Sequence, residues 1–134
     1  MKVEEEYLDV LQNIEFGIVS VYRQDPALLD YDVLDAIEAL TRHYRAEEGH
    51  CNPPPLRLSE RGQRVFDFVK MMCEWRLGRQ KLVNQNEEQR DVEITPITVG
   101  EIILCLKRIH KSVQRWNKEG GRQGYLNFVT QFIR

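Results

Sequence analysis

Four stretches of this chain repeat apolar residues every three or four positions, and that spacing is the tightest limit on what it can fold into. The sets are Tyr7, Leu11, Ile14, Ile18 and Val21; Val33, Ile37, Leu40 and Tyr44; Val65, Phe68, Val69, Met72 and Trp75; and Ile102, Leu106, Ile109, Val113 and Trp116. An α-helix turns once per ~3.6 residues, so each set is a stripe along one side of a helix and must be buried against another element. The sequence therefore predicts an all-α, single-domain helical bundle over residues 1–134. It would have four long amphipathic helices plus a short C-terminal helix built on Tyr125, Phe128, Val129 and Phe132.

The helix limits are written in the local chemistry. Asp25-Pro26 ends the first helix near residue 23, and Asp30 or Asp32 is the expected N-cap of the second, which Gly49 stops. Pro53-Pro54-Pro55 removes three donors and disfavours helical geometry at the residues before each proline, so 51–58 reads as a stiff connector. Ser59 then caps the third helix, which ends near Gly78. Residues 79–97 contain the wholly polar run Asn84 to Arg90 and read as a flexible loop. Thr98 with Glu101 three positions on is a capping box opening the fourth helix, which Gly120-Gly121 closes. Helices one and two are expected to pair as a hairpin, four and five as another, with helix three crossing between them.

Charge is divided along the chain. Residues 1–50 hold 4 Lys and Arg against 12 Asp and Glu, or −8, and residues 51–134 hold 15 against 9, or +6; together they give the net −2. The C-terminal excess is ordered. Lys107, Lys111, Arg115, Lys118 and Arg122 follow one another at helical spacing and define one basic stripe, opposite the apolar side of helix four. Such a stripe can lie along an acidic helix of the same chain, meet a second copy, or bind a polyanion.

Several function classes are disfavoured. No apolar run reaches the ~20 residues that span a bilayer, and acid stands where a signal peptide would be apolar, so no membrane role and a cytoplasmic location are expected. Cys51, Cys73 and Cys105 are far apart and fit reduced thiols. No Gly-rich phosphate loop or nucleophile elbow is present in the sequence. One metal-like grouping exists: His43 and Glu47 stand one helical turn apart, and Glu47 and His50 have the three-residue spacing of carboxylate–imidazole ligand pairs. A second such pair is lacking, so a solvated helix end is the simpler reading, and no cofactor is expected.

These features predict a non-enzymatic helical protein that acts through protein–protein contact as a homodimer, the acidic first helix of one copy lying along the basic fourth helix of the other. RNA or DNA binding through the basic stripe is the alternative, weakened by the absence of aromatic residues among its cations and by the acidic pI of about 5.9. Metal-dependent activity at His43, Glu47 and His50 ranks third.

Overall fold

The computed structural model describes residues 2–49, 56–79 and 96–119; side chains are described for 9–49, 56–79, 96–115 and 118. They form four helices, α1 (Lys2–Gln24), α2 (Asp30–Glu47), α3 (Glu60–Arg76) and α4 (Val99–Glu119), with no strand among the described residues. The expected fifth helix, the three consecutive prolines and the polar run Asn84 to Arg90 lie outside them.

Two of the expected caps form as the sequence indicates. The Gly62 N–H donates to Ser59 Oγ at 3.0 Å, opening α3. At α4, the Glu101 N–H donates to Thr98 Oγ1 at 3.2 Å and the Thr98 N–H donates to Glu101 Oε1 at 3.4 Å, which satisfies two otherwise orphan donors reciprocally. The start of α2 differs. Its N-cap is Leu29, not Asp30 or Asp32. Asp32 sits at the third helical position and its Oδ2 accepts from the Leu29 N–H at 3.3 Å, so the acid caps from inside the helix. Asp32 Oδ1 also accepts from Ser59 Oγ at 2.7 Å, joining the starts of α2 and α3.

Side-chain pairs fix the helix directions. Asp9 meets Arg76 and Asp25 meets Arg61, so α1 and α3 run antiparallel. Asp32 meets Ser59 while Tyr44 meets Glu74, so α2 and α3 run parallel. Glu48, just past α2, lies against Gly100 at the start of α4, which makes α2 and α4 antiparallel. It follows that α1 and α4 run parallel. The chain between α2 and α3 must return the length of α2, about 27 Å at ~1.5 Å per residue, and residues 48–59 are long enough at ~3.3 Å each.

Packing follows the order α1–α3–α2–α4 around the bundle, with α4 closing back on α1. The expected hairpin of the first two helices is therefore not formed: α1 and α2 sit diagonally and scarcely touch. The reason is that α3 and α4 each carry enough apolar surface to fill the two sides of α2. Val65 and Val69 of α3 and Ile102, Leu106 and Ile109 of α4 are all buried, as are Val33, Ile37, Leu40 and Tyr44 of α2. Burial of each such side chain contributes roughly 1.5–3 kcal/mol. The aromatic residues of α3 are less central than its Val positions, since Phe66, Phe68 and Trp75 are only half-buried.

Close approach of α1 to α3 depends on Gly17. A Cβ there would stand 2.9 Å from Phe68 Cε1 and 3.1 Å from Phe68 Cδ1. Where α3 ends, Gly78 takes φ +78°, a left-handed conformation that costs other residues energy, and the Ile97 N–H donates to the Arg76 carbonyl at 3.0 Å. The two ends of the 79–97 segment are thereby held at one corner of the bundle.

Candidate functional site

Because α4 buries Ile102, Ile103, Cys105, Leu106, Ile109 and Val113, its opposite side faces outward. At about 100° per residue, six of its residues fall within about 100° of one another: Leu104, Lys107, Arg108, Lys111, Arg115 and Lys118. All six are exposed. No other residue between 104 and 118 falls in that sector, so the face holds five cations, one leucine and no acid. Lys107 to Lys118 spans about 16 Å at ~1.5 Å per residue. Among the described residues no ion pair reaches Lys107, Lys111 or Lys118.

The structure thus brings Lys107, Lys111, Arg115 and Lys118 together as the sequence predicts, while Arg122 lies outside the described residues. Sequence reasoning overlooked two members, Leu104 and Arg108. Leu104 is on the centre line of the face and is 51% exposed. Following cations from one turn to the next skips both; projecting every residue onto the helix circumference finds them.

Three acids of the N-terminal half, Asp9, Asp25 and Glu47, pair with cations of the α3 segment. Arg76 Nη1 lies 3.0 Å from Asp9 Oδ2, Arg61 Nε lies 2.8 Å from Asp25 Oδ2, and Arg79 Nη2 lies 2.9 Å from Glu47 Oε2. These three described pairs join the N-terminal half to the α3 segment. The two more exposed pairs, Arg61–Asp25 and Arg79–Glu47, contribute about 0–1 kcal/mol each, and their main effect is on helix register.

The candidate metal ligands are arranged differently. His43 Nε2 lies 3.7 Å from Glu47 Oε1, one turn along α2. Both carboxylate oxygens of Glu47 also face Arg79, at 3.0 and 2.9 Å, and that hydrogen-bonded guanidinium holds the carboxyl below the usual carboxylate range. His50 lies outside the described residues, and no three His, Cys, Asp or Glu side chains among the described ones are grouped as a metal site. His110 is half-buried at the flank of the apolar stripe. Cys73 and Cys105 are buried free thiols; burial pushes Cys105 up to about 11 and raises Cys73 as well, which leaves both protonated and poorly nucleophilic at neutral pH. Cys51 lies outside the described residues.

What the described residues define is an all-α helical bundle with a basic outer face on α4. No described helix is long and apolar enough to cross a membrane. Compared with known protein families, curated proteins and solved structures, the chain matches none.

Proposed function

We propose that this chain is a non-enzymatic helical module that acts through protein–protein contact as a homodimer, with the outer face of α4 as its contact surface. The observation that carries this reading is the company Leu104 keeps: an exposed apolar side chain on the centre line of a face otherwise made of five cations. An exposed apolar side chain at the head of a row of cations suits a protein contact, where the apolar contact supplies affinity and the charges set partner and orientation. Light scattering on the full chain across concentration and salt tests it. The expected result is a dimer that loosens as salt rises; a monomer at every concentration and salt overturns it.

A second reading has the same face binding RNA or DNA, and the five cations without an acid favour it. It predicts affinity for a nucleic-acid strand that falls steeply with salt. The absence of an aromatic side chain from the six positions removes base stacking and places this reading second. Absence of any gel shift at low salt overturns it.

A further inference from the structure

The outer face of α1 carries a pattern complementary to that of α4. Asp9, Phe16 and Arg23 are exposed and recur every seven residues along one line of the helix, and Phe16, at 47% exposure, is the one large apolar side chain on it among the described residues. On α4 the corresponding apolar residue is Leu104, with Lys111 seven positions later. On α1, Asp9 stands seven positions before Phe16. The intervals are equal and their directions opposite.

We infer that the occupant of the α4 face is α1 of a second copy, laid antiparallel so that Phe16 packs on Leu104 and Asp9 faces Lys111. This rests on the homodimer reading and specifies its geometry. Equal intervals become equal distances, because both helices rise ~1.5 Å per residue: the Asp9–Lys111 pair falls about 10 Å from the apolar contact. Asp9 is also paired with Arg76 of its own chain, but its side chain is 56% exposed and keeps an oxygen open to a second cation.

Two further facts select this arrangement. The first is charge in the opposite direction. Were α1 laid parallel to α4 with Phe16 still on Leu104, Arg23 would fall on Lys111, and like charges would meet where the antiparallel register pairs opposite ones. The second is topology. A two-fold axis perpendicular to the bundle reverses every helix, and since α1 and α4 are parallel neighbours in one chain, α1 of one copy runs antiparallel to α4 of the other. One symmetry operation then repeats the contact reciprocally, as a closed dimer requires.

The test uses the full chain with Cys51→Ser, leaving the buried Cys73 and Cys105 in place. Phe16→Cys and Leu104→Cys proteins are prepared separately, mixed, allowed to exchange and oxidised mildly. The geometry expects a disulfide-linked dimer containing one of each variant, formed at least about tenfold faster than a linked dimer of either variant alone, because a disulfide needs Cα atoms within about 7 Å. Light scattering on the unmodified chain separates the possible failures. A dimer whose mixed variants do not cross-link preferentially overturns this register and leaves the homodimer reading standing. A monomer throughout overturns both.

Discussion

Tyr44 and Glu74, thirty residues apart in sequence, are joined by a hydrogen bond in which the Tyr44 hydroxyl donates to Glu74 Oε2 at 2.7 Å. Tyr44 is fully buried between α2 and its neighbours, and the carboxylate that receives its proton is itself 3.5 Å from Arg79 Nη1. The bond fixes the axial register of α2 against α3, two parallel helices that no short turn connects. Burial and the bond to Glu74 push the phenol far above its ordinary range, so it keeps its proton and can donate at neutral pH.

Tyr44→Phe keeps the ring and removes the hydroxyl. A hydrogen bond to a charged acceptor contributes about 1.5–3 kcal/mol, and Arg79 still faces Glu74, so the expected loss is at the low end, about 1.5 kcal/mol in urea unfolding. A change below a few tenths would show that the hydroxyl does not hold the α2–α3 register.

At Gly17 two effects of opposite sign compete. Alanine gains about 1 kcal/mol over glycine in a helix interior, but its Cβ would stand 2.9 Å from the Phe68 ring and forces that ring to move. Overpacking costs about 1–3 kcal/mol, so Gly17→Ala is expected to be net destabilising by about 1 kcal/mol. The same change made beside Phe68→Leu, which withdraws the ring atoms, should turn stabilising relative to Phe68→Leu alone. Equal effects in both backgrounds would remove the α1–α3 close approach as the reason for glycine.

Arg76 is a buried cation with one described ion pair. Its side chain is 7% exposed, Nη1 meets Asp9, and Nε has no hydrogen-bond partner. Removing one partner of a buried pair is expensive, whereas replacing the cation by an apolar residue of similar length can be nearly neutral. Arg76→Met should therefore change stability by less than about 1 kcal/mol, while Asp9→Ala, which leaves the guanidinium without its carboxylate, should cost about 1–3 kcal/mol. Calorimetry on the two variants checks the order, and the reverse order would mean that Arg76 is stabilised by something other than Asp9.

How far the fold could be read from the sequence follows from what periodicity encodes. Spacing located all four helices, and Ser59 and the Thr98–Glu101 pair marked two starts because a cap is chemistry between residues three apart. The buried positions Ile14, Ile18, Ile37, Leu40, Val65, Val69, Leu106 and Ile109 were legible for the same reason. The diagonal placement of α1 and α2 was not, because a stripe states which side of a helix is buried and not against what. That choice rests on contacts such as Gly17 with Phe68 and Asp9 with Arg76, between residues more than fifty positions apart. On α4 Lys107, Lys111, Arg115 and Lys118 were legible; Arg108 was passed over because it breaks the turn-to-turn spacing, and Leu104 because an exposed leucine is invisible until the buried side is known.

Glu15 makes the stability of the bundle depend on pH in the neutral range. It is half-buried in α1 beside the fully buried Ile14, and among the described residues no hydrogen bond or ion pair reaches its carboxyl. Burial raises its pKa from 4.5 to about 7. Between those values the folded chain holds a proton that the unfolded chain has released, so the folded state binds more protons and stability falls as pH rises. The contribution is fully present below about pH 4.5 and is lost as pH passes through 7. The full shift would overstate it, because Glu15 is only half-buried and solvent screens its charge; roughly 1–2 kcal/mol is expected. Glu15→Gln keeps the shape and removes the titration. The variant should match the parent near pH 5 and exceed it at pH 8, as measured by urea unfolding at both. If parent and variant change in parallel between the two, the carboxyl of Glu15 is solvated in the folded chain and its burial carries no cost.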